Sequence, residues 1–203
     1  MPSKCKPALR RTVLARRNAI PPPEIRRQST AVSSRLFGLP EFAEARVVLF
    51  FVSFGSEVDT LPMIGQALAE GKQVAAPRAD PETRKLTAWE IQDIGADLAP
   101  GAHGIREPKA HCAPVRVDEI EVVLVPAAAW GEDGYRVGYG GGYYDRFLGR
   151  LPRAWRIGLG LEVQVVPVVP HGEHDLPVQM LVTDAAVRRF GRAGGRGGVG
   201  LSG

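Results

Sequence analysis

The ten residues Arg136-Val137-Gly138-Tyr139-Gly140-Gly141-Gly142-Tyr143-Tyr144-Asp145 concentrate the chemistry of this chain. They set four glycines, three tyrosines, an arginine and a carboxylate in one short stretch. Glycine loses more conformational freedom on folding than any other residue, so four together would weaken a plain helix or strand. They suit a place where the main chain must come close to another molecule. Successive exposed amide N–H groups in such a loop cradle phosphate oxygens. No Gly-Lys-Ser/Thr follows, so this is not a Walker A loop, and no acidic residue closes a second strand at the offset of a dinucleotide fingerprint. The plainer alternative is a glycine-rich surface turn.

The flanking segments favour a ligand loop. Val122-Val123-Leu124-Val125-Pro126 is a short apolar run that reads as a buried strand, and Tyr144, Phe147, Leu148 and Leu151 follow at helical spacing. Strand, glycine loop, helix is the layout of a nucleotide or phosphate site. Upstream, residues 4–19 read as a basic helix with Leu9, Val13 and Leu14 on one side, stopped by Pro21-Pro22-Pro23. A second helix spans 23–37, with Ile25, Val32, Leu36 and Phe37 as apolar anchors. The run from Arg46 to Val52 is a strand of the kind buried on both faces. Ser53 to Thr60 is a polar loop, 61–70 a helix ending at Gly71, 72–76 a strand closed by Pro77, and 85–91 a third strand. Residues 92–119 read as a long irregular connection, of the sort that is usually functional or disordered. Strands at 155–161 and 179–183 complete the set.

This alternation predicts an α/β layered fold with a largely parallel sheet flanked by helices. One domain is expected over residues 1–190. Residues 191–203 form a Gly/Arg-rich tail expected to be disordered.

The 203 residues are 44% hydrophobic and 24% charged, ordinary for a globular protein. No apolar run approaches the ~20 residues that span a bilayer, and the basic N-terminus lacks a secretory apolar core. Two cysteines, Cys5 and Cys112, do not make a disulfide framework. A cytoplasmic protein without a membrane partner is expected. Net charge is +4, with ten Lys/Arg against three Glu in residues 1–46 and four Arg in residues 188–196. That balance fits any polyanion. A nucleic-acid-binding module is the competing reading, but no zinc finger, aromatic RNA-binding motif or basic zipper supports it, and no nucleic-acid partner is expected. His111-Cys112 and His171-x-x-His174 do not have a zinc-site spacing, and solvent-facing loop histidines are the better account.

The chain resembles the 5-formyltetrahydrofolate cyclo-ligase family, also called methenyltetrahydrofolate synthetases, over residues 4–187. The loop from Arg136 to Asp145, with Gly134 ahead of it, carries most of the likeness. Lys6-Pro7-Ala8-Leu9-Arg10, the segment Ser53–Thr60, the turn Gly104-Ile105-Arg106-Glu107-Pro108 and His174-Asp175 match in the family's order and spacing. Two positions depart. Ala127 stands where the family has Gly, and Gly131 where it has Asp, while Trp130 keeps the aromatic role between them. These departures leave open a homologue with the same fold and another ligand. The Arg-rich tail is not a family feature.

The resemblance implies a monomeric enzyme that transfers the γ-phosphate of ATP to the formyl oxygen of 5-formyltetrahydrofolate, with or without a polyglutamate tail. Attack by folate N10 and loss of phosphate then give 5,10-methenyltetrahydrofolate, ADP and phosphate, with Mg²⁺ assisting. Such chemistry needs positioning and charge neutralisation more than reactive side chains.

Residue roles follow from the matching positions. Lys6 and Arg10, one helical turn apart, would clamp ATP phosphates; the alternative is a solvated basic face. Arg136, Val137, Gly138, Tyr139, Gly140, Gly141, Gly142, Tyr143 and Tyr144 would wrap the nucleotide. Of these, Tyr139 through Tyr143 would also face the formyl end of the folate. Arg136 and Tyr143 are the catalytic candidates. One of Tyr143 and Tyr144 is expected to face the site and the other to pack, because adjacent helical residues point about 100° apart. Asp145 and Asp175 are the Mg²⁺ candidates, since that ion takes one or two carboxylates beside phosphate and water. The alternatives are a first-turn helix acid and a turn residue. Glu57 would hold the pterin ring, unless it is an N-terminal acid of helix 61–70, and Val52 would touch the substrate through apolar surface.

Overall fold

The computed structural model describes residues 6–101 and 104–191. Helix α1 (Lys6–Asn18) is followed by α2 (Pro22–Phe37) and a short α3 (Pro40–Ala43), then strand β1 (Val47–Leu49). The proline run that stops α1 also starts α2, because proline at the first helical positions lacks only an N–H that would have no partner there. Helix α4 (Leu61–Ala69), the long hairpin β2 (Gln73–Asp80) and β3 (Lys85–Ile91), and a short α5 (Ile94–Asp97) come next. Then β4 (Leu98–Pro100) pairs antiparallel with β5 (Arg106–Pro108). The second half holds β6 (Val122–Val125), β7 (Ala129–Gly131), β8 (Arg136–Val137), α6 (Tyr143–Leu148), β9 (Trp155–Leu159), β10 (Val165–Val166), β11 (Met180–Val182) and β12 (Val187–Arg189).

Seven strands form the main sheet in the order β12-β11-β9-β6-β1-β2-β3. The five central strands run parallel, and β3 and β12 close the two edges antiparallel. The expected fold class is therefore the observed one. Strand β6 is buried at every residue, and its side chains alternate between two cores. Val122 and Leu124 join Leu36, Met63 and Ile64 beneath α2 and α4. Val123 and Val125 join Phe147, Leu148 and Trp130 on the α6 side. A smaller sheet, β10-β7-β8, carries α1 through contacts of Val13 with Ala129 and Val137.

Several expected boundaries shift. Strand β1 is shorter than residues 46–52. After Phe50, whose N–H still reaches Ala75, the buried Phe51 and Val52 leave the sheet. Strand β2 runs through Pro77 to Asp80 rather than stopping there. Its pairing with β1 ends at Ala75, so the missing N–H interrupts no ladder on that side. Helix α6 ends at Leu148, with Gly149 as its cap, short of residue 151. The stretch read as irregular, 92–119, contains α5, β4 and β5. The glycine loop does not follow β6 directly: the β7–β8 hairpin lies between them. The expected tail falls almost wholly on residues 192–203, outside the described residues. Among the described residues, no helix is long and apolar enough to cross a membrane.

Candidate active site

One cavity of about 850 Å³ opens at the carboxyl ends of β6, β1 and β2, where Pro126, Val52 and Pro77 line it. Open α/β sheets bind ligands in this position. Residues from four distant parts of the sequence face it. Lys6 and Arg10 come from α1, Glu57 from the loop after β1, Arg136 and the run Gly138 to Asp145 from the glycine loop, and Asp175 from the segment before β11.

The glycine loop is a tight main-chain fold. Gly142 caps α6 in the left-handed region at φ 65°, and a Cβ on Gly141 would sit 2.4 Å from the ring of Tyr143. Neither position accepts a side chain without rearrangement. Two arginines hold the loop: Arg10 Nε donates to the Gly138 carbonyl at 2.8 Å, and Arg146 Nη2 donates to the Gly141 carbonyl at 2.6 Å. Arg146 also donates to the carbonyl of Arg84 at the tip of the β2–β3 hairpin, fastening that tip to the loop.

The charged groups are paired. Arg136, only 5% exposed, donates to Asp145 Oδ1 and to the Leu176 carbonyl, each at 2.6 Å. Burial pushes its guanidinium pKa down, and Asp145 opposes that shift. Lys6 Nζ meets Asp175 Oδ2 at 2.6 Å, and the Gly172 amide donates to the same oxygen. Burial works to raise the Asp175 pKa, but Lys6 and Gly172 outweigh it and hold the carboxyl below its ordinary value. Glu57 accepts the Tyr139 hydroxyl in a short hydrogen bond and the Phe54 amide at 3.1 Å. Burial raises its pKa despite those donors.

The structure thus brings most of the sequence candidates to one cavity: Lys6, Arg10, Val52, Glu57, Arg136, Gly138, Tyr139, Gly140, Gly141, Gly142, Tyr143, Tyr144, Asp145 and Asp175 all line it. Val137 does not. Its side chain packs with Val13, Ala129 and Val169, so it offers a ligand at most its main chain. Both Tyr143 and Tyr144 line the cavity, where only one was expected to; the Tyr144 hydroxyl is buried without a hydrogen-bond partner. Glu57 precedes α4, and its carboxylate serves Tyr139 rather than the helix terminus. Asp145 does lie in the first turn of α6, but its side chain pairs with Arg136.

Sequence reasoning missed Arg17 and Arg146. Arg17 lies on the α1 face of Lys6, Arg10 and Val13, at i, i+4, i+7 and i+11, and that register is the signal that marks it.

The two departures lie behind the cavity rather than in its wall. A Cβ on Gly131 would meet Asp133 Oδ1 at 2.5 Å and Val169 at 3.0 Å, so a side chain there requires the exposed Asp133 to swing away and Val169 to give slightly. Ala127 is buried, and its carbonyl accepts Gln164 Nε2 at 2.7 Å. Of the residues weighed for zinc, His171 stacks on Tyr135 at 3.7 Å. His111 and Cys112 converge with Asp97, whose carboxylate already accepts from the Gln92 and Asp93 amides and pairs with His111.

Comparison with known proteins points one way. Residues 2–184 match the model of the 5-formyltetrahydrofolate cyclo-ligase family. A 5-formyltetrahydrofolate cyclo-ligase of Escherichia coli (strain K12) is 30% identical over 175 residues, covering 85% of this chain and 96% of that protein. Its counterpart from Mycolicibacterium smegmatis is 28% identical over 188 residues, covering 90% and 95%. The solution structure of Aquifex aeolicus 5,10-methenyltetrahydrofolate synthetase superposes with a TM-score of 0.82 at 33% identity, covering 98% of this chain and 97% of that one.

Proposed function

The chain belongs to the 5-formyltetrahydrofolate cyclo-ligase family, and from that premise we propose that it converts 5-formyltetrahydrofolate and ATP to 5,10-methenyltetrahydrofolate, ADP and phosphate. One observation carries this reading: a single cavity is lined both by cations and the glycine loop and by apolar residues with a buried carboxylate among them. The first suits phosphates, the second a flat heterocycle rich in N–H donors.

The formyl oxygen is a poor leaving group. Phosphorylation makes it a good one; the bond from N10 to the formyl carbon then forms, the carbon–oxygen bond breaks, and the N10 proton is released. The residues present fit a Mg-nucleotide: three cations, a cradle that a Cβ at Gly141 would fill, and two carboxylates. Lys6, Arg10 and Arg136 would hold the phosphates, aided by the amides of residues 138–142. Magnesium, held by Asp145 and Asp175, would neutralise charge on the transferring group. In this structure those carboxylates pair with Arg136 and Lys6, so ligand binding exchanges partners rather than exposing isolated charges. Tyr143, at the loop's end, would position the formyl group, and Val52 and Glu57 the pterin.

The test mixes purified protein with 5-formyltetrahydrofolate and Mg-ATP and follows the near-ultraviolet absorbance of the methenyl product. Product is expected only when all three are present. No product with the full mixture would overturn the reading, and product in excess chelator would overturn the role given to magnesium.

A further inference from the structure

Arg17 is 3% exposed, the most buried charged residue among those described. Its Nε donates to Ser56 Oγ at 2.9 Å and its Nη1 to Tyr139 Oη at 3.0 Å. Among the described residues, no carboxylate lies within ion-pair distance of it. A buried guanidinium served by two neutral hydroxyls is costly unless it has something to organise.

What it organises follows from donor and acceptor chemistry. Arginine only donates. The Tyr139 oxygen must therefore accept from Arg17 and send its own proton onward, and that proton goes to Glu57. Ser56 likewise accepts from Arg17 and donates to Asn18. The Tyr139 ring also packs on Phe54, with centroids 5.2 Å apart. The glycine loop and the loop after β1 are thus joined through one side chain of α1, the helix that also presents Lys6 and Arg10.

We propose that Arg17 is a positioning residue that locks the glycine loop to the Ser53–Thr60 loop and fixes the direction of the Tyr139 proton, so that Glu57 offers only acceptors to the pterin. This rests on the reading that Glu57 faces the folate. Because α1 spans both walls, Arg17 also makes the occupancy of one wall felt at the other.

The test is calorimetric titration of wild type, Arg17→Ala and Arg17→Lys with 5-formyltetrahydrofolate and with a non-hydrolysable ATP analogue, each alone and each with the other bound. Arg17→Ala should weaken folate binding about tenfold or more, the scale of a hydrogen bond to a charged group. Binding of the analogue alone should weaken less than binding of folate, and the mutual enhancement of the two ligands should fall. Arg17→Lys keeps the charge but bridges less well and should lie between; it carries the test if the alanine variant does not fold.

A double-mutant cycle with Tyr139→Phe separates positioning from packing. The tyrosine change should cost much less once Arg17 is gone. Additive effects, or folate affinity equal to wild type in both Arg17 variants, would overturn the proposal alone. A wild-type protein that does not bind 5-formyltetrahydrofolate would overturn the functional reading and the proposal with it.

Discussion

Arg136 and Asp145 meet at 2.6 Å across the glycine loop, closing a ring of main chain between β8 and the first turn of α6. The arginine is buried and the aspartate is 28% exposed on its side chain. The pair therefore fixes the loop's two ends from within.

Asp145→Asn keeps the size and an acceptor but removes the anion. The buried Arg136 charge would lose its partner, at a cost of about 2 kcal/mol given the water on one side of the pair. A thermal melt should show a lower midpoint. A magnesium titration of activity at fixed ATP should show a raised requirement, because one anionic ligand is missing. A lower melting point with superimposable magnesium curves would make Asp145 a structural partner of Arg136 only.

Lys6→Gln and Arg10→Ala probe the cationic wall. Lys6 sits in a partly exposed ion pair, which contributes about 0–1 kcal/mol, so Lys6→Gln should change the melting point little, while Arg10→Ala loses the hydrogen bond to the Gly138 carbonyl and should lower it by more. ATP affinity should fall about tenfold in each, a loss of about 1.4 kcal/mol. The Lys6–Asp175 pair has a pH signature. The Asp175 pKa is held below its ordinary 3.8, so the stability it adds is present above that value and is lost as pH falls through the lower folded one. The stability gap between wild type and Lys6→Gln should close in acid. A gap that widened there would contradict the pairing.

Glu57→Gln sets stability against binding. Burial raises the Glu57 pKa, so the folded state resists its ionisation. The sign follows: wild type loses stability relative to the glutamine variant as pH rises from 4.5 through the folded value, and the difference then levels off. At neutral pH the variant should be as stable as wild type or more so, yet bind 5-formyltetrahydrofolate at least tenfold more weakly, since the amide nitrogen that replaces a carboxyl oxygen only donates and cannot accept from a pterin N–H. Calorimetry and melts on the same preparation check both halves.

Two glycine substitutions should behave differently. Nothing lies within 4 Å of a Cβ built on Gly138, and its φ is not in the left-handed region. Gly138→Ala should keep its activity and melting point. Gly141→Ala would drive a methyl into the Tyr143 ring at 2.4 Å, and should lower ATP affinity and turnover. Equal behaviour of the two variants would show that the loop's shape is not what binds the nucleotide.

The sheet was legible because its strands are short apolar runs with polar or helical segments between them; Val122–Val125 reads the same in sequence and in space. The glycine loop announced itself by composition. What escaped were the two-residue and three-residue strands β4, β5, β7, β8, β10 and β12, too short to show any period. The end of β2 escaped too, since Pro77 looks like a stop until its neighbour strand is known to end first. Arg17 escaped because a buried arginine and a solvated one are the same letter; only the partners Ser56 and Tyr139, far away in sequence, tell them apart. Val137 erred the other way: contiguity with the loop suggested a ligand contact that the alternation of a strand sends to the opposite face.

The pairing of charges in the cavity also bears on how ligands arrive. Its wall carries four cations, Lys6, Arg10, Arg106 and Arg136, and four carboxylates, Glu57, Glu107, Asp145 and Asp175. The chain as a whole is positive, yet the formal charges that line the site are equal in number and opposite in sign. Polyanions that reach it are not drawn in from a distance, as they would be by a funnel of one sign. Association rates for nucleotide and folate should therefore change little with ionic strength, and discrimination falls to the contact stage, where an anion arriving at Lys6 or Arg136 must displace an aspartate.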